Sequence, residues 1–239
     1  MLRFALAVAM VGCAVSPRPP GPAAAPGAQE PAQLVQTFGV PGEAMEFAAT
    51  LRGLAVGRVV TAVGKPGWVD GQRALIVKSR GQSTGMIALL AELVWEQTTT
   101  INLDRGHIID SKEETWTVLA GEHEHETRSL DGAEDVHDIH SATAAVRAWR
   151  SLPGQTALLD INFGHHTVHA ELRDAGHGFL VSAGEPAVRY EGTFEDEVRF
   201  SAWVSDDTAR VPLRFECELD RFGRIVVELV HYTAPVDGS

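Results

Sequence analysis

Histidines are frequent in this chain and fall into local groups. The chain has ten, and the groups are His123-Glu124-His125, His137 with His140, and His165-His166 with His169. On a strand, His123 and His125 would share one face and could bind Zn²⁺ or Cu²⁺. Glutamates alternate with this pair, which is also typical of a solvent-exposed edge. We therefore expect no metal site, and His123 and His125 are the residues to test for one.

Carboxylates gather toward the C-terminal end, at Glu195, Asp196, Glu197, Asp206 and Asp207. Paired carboxylates support acid–base catalysis only at a defined separation across a cleft, which a sequence does not give. Asp206 and Asp207 shortly precede Arg210, where a turn is predicted. We expect a turn there, stabilised by an ion pair with Arg210.

The motifs of familiar enzymes are missing from the sequence. It contains no Gly-x-Ser-x-Gly elbow, no phosphate-binding glycine loop, no His-Glu-x-x-His and no Cys-x-x-Cys. The formal net charge of -12 would repel polyphosphate backbones. We therefore predict a protein that is not an enzyme, needs no cofactor and does not bind nucleic acid.

The N-terminus has the order of a bacterial secretion signal. Arg3 supplies a positive charge, residues 4–11 are apolar, and Gly12 directly precedes Cys13. The apolar run is shorter than the about 20 residues that span a bilayer. A small residue before a cysteine resembles a lipobox, in which the cysteine is diacylated. We predict a signal peptide over 1–12 and a lipid anchor on Cys13; the alternative is cleavage after another residue.

The segment after Cys13 is rich in proline, alanine and glycine. Such a composition extends as polyproline II and cannot build a core. We predict a flexible linker over 13–33 and a single folded domain over 34–239. Ala14 after the cysteine favours the outer membrane by resemblance to enterobacterial sorting. The domain would then face the periplasm or the cell surface.

Alternating apolar and polar residues dominate the folded part. The pattern is clearest at Leu213, Phe215, Cys217 and Leu219, whose neighbours are charged. Residues 220–223 have turn chemistry, so a hairpin follows. Weaker alternation lies at 44–63, 73–78, 95–103, 115–119, 157–163, 167–173 and 198–204. The chain is therefore predicted to be mainly β, with an antiparallel curved sheet, open barrel or sandwich. Cys217 should be buried, without a disulfide to Cys13.

One clear helix is predicted at about 141–151, with Ser141 as its cap and Ala142, Ala145 and Val146 on one face. Residues 84–93 fit either a second short helix or a buried strand. The tryptophans are expected to pack the core, and some of them to line an apolar cavity between sheet and helix: Trp68, Trp95, Trp116, Trp149 and Trp203.

Three stretches resemble an envelope family, the domain of unknown function 3108, over about 42–232. The first two are Gly42-Glu43 with Phe47, Gly53 and Gly57, and Val136 with 141–147 and Pro153-Gly154. The third comprises Trp203, Asp207, Arg210, Val211, Pro212 and Gly223. The resemblance implies an exported β-rich protein, and no catalytic residues come with it. The architecture is also similar to the half-barrels of lipoprotein carriers.

The chain departs from this family pattern at Thr143, Ala144 and Ala145, which replace bulkier side chains. We expect a smaller pocket as a result. The features together predict a cell-envelope lipoprotein with a non-catalytic binding or docking role. Its partners would be the membrane, through Cys13, and an apolar or lipid-like ligand. One alternative is an assembly protein acting through protein contacts, and another is a metal-binding protein using the histidine groups. The sequence does not assign ligand-binding residues.

Overall fold

A computed structural model describes residues 31–34, 39–131, 136–163, 166–195 and 197–235. The predicted signal peptide, Cys13 and most of the linker lie outside this part of the chain. Its strands are β1 (Ala32–Gln33), β2 (Ala44–Leu51), β3 (Leu54–Val63), β4 (Gly67–Val69), β5 (Gln72–Ser83), β6 (Ala91–Asn102), β7 (Ile108–Leu119), β8 (Glu122–Asp131), β9 (Thr156–Phe163), β10 (His166–Leu180), β11 (Glu185–Phe194), β12 (Val198–Ser205), β13 (Pro212–Leu219) and β14 (Gly223–Thr233). Its helices are α1 (Gly85–Leu90) and α2 (Ile139–Ala148).

All of these strands belong to one sheet, which confirms the prediction of a mainly antiparallel β fold with a curved, open sheet. The strand order is β1-β9-β10-β11-β12-β13-β14-β2-β3-β5-β6-β7-β8, and β4 pairs with β5. The N-terminal half (β2–β8) and the C-terminal half (β9–β14) are each a meander. They join where β14 pairs with β2. Every pairing is antiparallel except that of β1 with β9.

β-Bulges contribute to the curvature of the sheet, because each extra residue bends its strand and increases the local twist. An extra residue interrupts the register in each of β10, β13, β14, β3 and β7. At Gly192 a Cβ atom would lie 2.3 Å from the Glu171 carbonyl oxygen and 2.6 Å from the Phe200 ring. Only glycine fits there, so the ring of Phe200 can pack directly on the backbone of β11. The apolar side chains of both halves face inward and form the core.

Helix α2 lies inside the curve and contacts β6 in one half and β9 in the other. It begins at Ile139 and ends at Ala148, so the predicted cap at Ser141 is wrong. Asp138 is the cap: its carboxylate accepts from the Ser141 amide at 2.8 Å, and the Ser141 hydroxyl accepts from the Asp138 amide at 3.0 Å. This reciprocal capping box extends the helix at its N-terminus.

Residues 84–93, predicted as either a short helix or a buried strand, form a short helix followed by the start of a strand. Helix α1 covers Gly85–Leu90 and has no buried residue, and β6 begins at Ala91. Strand β8 is exposed along nearly its whole length, so its sequence has no core-facing pattern. Among the described residues, no helix is long and apolar enough to cross a membrane.

Candidate functional site

A cavity of about 320 Å³ lies between α2 and the concave face of the sheet. Both halves line it with apolar side chains, among them Met45, Phe47, Val77, Trp95, Leu159, Phe200 and Phe215. Its volume falls in the range of about 300–1,000 Å³ found for small-molecule sites. The arrangement can therefore hold a small apolar ligand.

Small residues of α2 face this cavity. Ala142, Thr143 and Ala144 all line it. Side chains of this size leave volume that a larger residue would fill. The smaller pocket expected from the departure at 143–145 stays a prediction, and Ala145 does not line the cavity.

A buried ion pair fixes the C-terminal end of α2. The Arg147 guanidinium donates to both carboxylate oxygens of Glu43, with Nη2 to Oε2 at 3.0 Å, and to the Ala209 carbonyl at 2.8 Å. The Tyr232 hydroxyl donates to the same carboxylate at 3.3 Å. Burial raises the pKa of Tyr232, and Glu43 raises it further. Glu43, Arg147 and Ala209 come from the three stretches that carry the family resemblance, and the fold brings these stretches together.

A second buried cluster fixes the N-terminal end of α2. The Asp138 carboxylate accepts from the Gln97 amide at 2.8 Å, from the Ser111 hydroxyl at 2.7 Å and from the Thr99 hydroxyl. Burial alone would raise the pKa of Asp138. His140 and the hydrogen bonds from Ser141, Thr99 and Ser111 outweigh burial, so this pKa is lowered. The helix is thereby tied to β6 and β7.

His140 continues this cluster toward the cavity. Its Nδ1 lies 2.8 Å from the Thr99 hydroxyl, and its Nε2 lies 2.7 Å from the Ser79 hydroxyl. Ser79 in turn lies 2.6 Å from the Thr61 hydroxyl. Burial lowers the pKa of His140 more than Asp138 raises it, so the imidazole is neutral near pH 7. Thr61, Ser79 and His140 all line the cavity.

These groups belong to a polar row that crosses the inner face of the sheet. Direct cross-strand pairing connects Thr61 to Ser79, Ser79 to Gln97, Gln97 to Glu113 and Glu113 to Arg128. Burial raises the pKa of Glu113, although Arg128, at 3.4 Å, opposes this. The row runs from the cavity to Arg128 on β8, the last strand of the sheet.

Strands β8 and β9 do not pair with each other, and we call the space between them the seam; the outer side of β9 is paired with β1 and with His137. A small polar pocket of about 30 Å³ lies in the seam, lined by Leu130 of β8, Asn162 and Phe163 of β9, and Asp138. Phe163 and Ile139 line both this pocket and the cavity. The pocket in the seam and the cavity are therefore adjacent.

The histidine pair proposed for metal binding lies away from the cavity, on β8. His125 stacks on Trp116 with ring centroids 5.0 Å apart, and its Nε2 lies 3.5 Å from a Glu114 oxygen. His123 is exposed and pairs with Val118. In the described part of the chain, no three His, Cys, Asp or Glu residues are grouped so as to hold a metal ion.

The remaining histidines are divided between the core and the surface. His137 is buried, and its Nε2 lies 3.1 Å from the Leu34 carbonyl. Burial lowers the pKa of His137 more than its polar neighbours raise it. His169 is exposed, and its hydrogen bond to Asp160 raises its pKa. His166 is exposed at the start of β10, and His165 lies outside the described residues.

The carboxylates near the C-terminal strands make separate local contacts. Glu195 accepts from the His169 amide at 2.7 Å, and Asp206 lies 2.8 Å from His177. Asp207 forms the predicted turn, but it accepts from the backbone amide of Arg210 at 2.9 Å. The expected side-chain ion pair is wrong, because the Arg210 guanidinium turns inward to the Tyr190 hydroxyl and the Trp149 carbonyl. Asp196 lies outside the described residues.

The tryptophans take several environments. Trp95 and Trp203 line the cavity, and Trp149 stacks on Tyr190 at 5.1 Å. Trp68, 73% exposed, is outside the core.

Cys217 is buried and lines the cavity, as its alternation with apolar residues predicts. The predicted apolar cavity between sheet and helix is present, and two of the tryptophans line it. The Glu43–Arg147 pair was not assigned from sequence, because it depends on a contact between distant segments.

No family model and no curated protein matches the chain, so the resemblance to the domain of unknown function 3108 family stays a prediction. A β-barrel-like protein of Domain of Unknown Function DUF1849 from Brucella abortus has a similar structure. The TM-score is 0.55 at 10% identity, and the match covers 84% of this chain and 100% of that chain. At this identity the likeness shows a shared fold alone.

Two further solved structures match over most of the chain with lower TM-scores. One, from Bacteroides fragilis, is described as an exported protein with a YmcC-like fold: TM-score 0.35, 10% identity, 83% of this chain and 99% of that chain. The other, from Parabacteroides distasonis, is described as a lipoprotein: TM-score 0.32, 7% identity, 86% of this chain and 100% of that chain. Scores this low carry no argument about this protein.

Proposed function

We propose that this chain is a non-catalytic binding protein that holds an apolar, lipid-like ligand in the cavity between α2 and the sheet. The observation that carries the proposal is the cavity itself. It has an almost wholly apolar lining from both halves of the sheet, and α2 faces it with small side chains. A protein interior normally packs without such a void, because unfilled apolar volume costs free energy.

The location we propose is the bacterial cell envelope, with the domain tethered to a membrane through a lipid on Cys13. The signal-like N-terminus and the proline-rich linker support this location. A tether would hold the domain near a source of acyl chains. We place the anchor in the outer membrane, with the domain facing the periplasm or the cell surface.

Mass spectrometry of the full chain, exported to a bacterial periplasm, tests the binding role. We expect the native mass to exceed the denatured mass by that of an organic ligand. Thr143→Phe should abolish this excess because the ring fills the cavity that Thr143 lines. Thr233→Phe is the matched control, since Thr233 is exposed at the end of β14.

Equal native and denatured masses, together with no binding of a fluorescent lipid probe, would show that the cavity does not act as a ligand site. An assembly role through protein contacts would then be the better explanation. An excess mass equal to that of a metal ion, lost in the double variant His123→Ala and His125→Ala, would instead support the metal-binding alternative.

A further inference from the structure

In the chain of hydrogen bonds beside the cavity, the donor and the acceptor of each bond can be assigned. The assignment starts from the Asp138 carboxylate. This carboxylate receives hydrogen bonds from Gln97, Ser111, Thr99 and the Ser141 amide. An ionised carboxylate can only accept. The single hydroxyl proton of Thr99 therefore points at Asp138, and the Thr99 oxygen is left to accept from its other neighbours, of which the nearest is His140.

The Nδ1 atom of His140 must carry the proton because it lies 2.8 Å from an accepting oxygen. A neutral imidazole has one donor and one acceptor nitrogen, so Nε2 accepts. The Ser79 hydroxyl, 2.7 Å from Nε2, donates to it. Ser79 has then used its only proton, and the Thr61 hydroxyl, 2.6 Å away, must donate to Ser79. The chain ends at Thr61, whose proton is committed and whose oxygen can still accept, and Thr61 lines the cavity.

Positive charge in the cavity lining is already compensated. Arg147 donates to both carboxylate oxygens of Glu43. Arg214 donates to Glu216 and to Glu228, the latter at 2.9 Å. A carboxylate or phosphate entering the cavity would meet accepting oxygens at Thr61 and arginines that are bound elsewhere. Burying such a charge without a partner is costly.

We propose that the cavity selects a ligand whose polar end donates a hydrogen bond and carries no negative charge, with Thr61 Oγ1 as the accepting atom. This inference rests on the proposed function. The ligand class comprises long-chain alcohols, glycerides with an unesterified hydroxyl, and amides. Ionised fatty acids and phosphate esters fall outside it.

Competition against a fluorescent lipid probe on the full chain tests the selection. The competitors are a long-chain primary alcohol, its methyl ether and the fatty acid of the same chain length, at about pH 8, where the acid is ionised. One hydrogen bond predicts that the alcohol binds about five- to tenfold more tightly than the ether. The fatty acid should bind at least about a hundredfold more weakly than the alcohol.

The variant Thr61→Val removes the accepting oxygen and keeps the shape of the side chain. It should reduce alcohol binding to the level of the ether and leave ether binding unchanged. Thr233→Val is the matched control, since Thr233 is exposed at the end of β14 and does not line the cavity. The control should keep the preference for the alcohol.

The outcomes separate this inference from the proposed function. Equal binding of alcohol and ether by the native protein, or binding of the ionised fatty acid as tight as that of the alcohol, would overturn the inference and leave the binding role standing. If neither the probe nor any competitor binds, the proposed function itself is wrong.

Discussion

Replacing Glu43 with glutamine should lower the free energy of unfolding by about 3–5 kcal/mol, because it leaves the charge of Arg147 buried without a counter-charge. The magnitude follows from burial, since the side chains of Arg147 and Glu43 are only 3% and 0% exposed. For a domain of this size, such a loss lowers Tm by roughly 6–20 °C. Urea and thermal unfolding followed by circular dichroism measure both quantities.

An exposed ion pair is the matched control. Arg80 and Glu96 are 2.9 Å apart, with side chains 63% and 39% exposed, so Glu96→Gln should cost less than about 1 kcal/mol. Glu43→Leu combined with Arg147→Met should lose much less than the two single variants together, because the pair is then replaced by apolar packing. A Glu43→Gln loss no larger than that of Glu96→Gln would refute the reasoning.

Two further predictions concern stability. Gly192→Ala should cost about 1–3 kcal/mol because its Cβ meets backbone and ring atoms, whereas Gly178→Ala should be tolerated, since nothing lies within 4 Å of that position; urea unfolding compares them. Burial lowers the pKa of His140 and of His137. Their contribution to stability is therefore complete above about pH 6.5 and falls as the pH drops below it, by up to about 1.4 kcal/mol per pH unit for each. His140→Gln should make this acid-side slope shallower in urea titrations at several pH values, and an unchanged slope would contradict the assignment.

Most strands could be predicted because a strand that is buried on one face alternates apolar and polar residues. Strand β13 shows this at Leu213, Phe215 and Cys217. Strand β8 could not be found in the same way, because both of its faces meet solvent. The helix start was misplaced because Ser141 and Asp138 are both good caps, and only the capping box decides between them.

The site was harder to predict than the fold. Glu43 and Arg147 are 104 positions apart, and no periodic pattern links them. One residue of the polar row could have been recognised from the sequence. Alternation puts Ser79 on the same face as Leu75 and Val77, so a hydroxyl falls where an apolar side chain is expected. Such a polar residue on a buried face marks a hydrogen-bonded position, although its partners depend on the folding of the whole sheet.

The seam gives this sheet a mechanical property that a closed barrel does not have. In a closed barrel every strand is bonded on both sides, and the circumference can grow only if a ladder of hydrogen bonds breaks. Here the β14–β2 ladder joins the two meanders on one side, and the start of α2 joins them on the other: His137 pairs with Ile161 of β9, and Asp138 accepts from Gln97 of β6. Widening the sheet around a larger occupant would therefore break side-chain hydrogen bonds of Asp138 and leave the ladders of both halves intact.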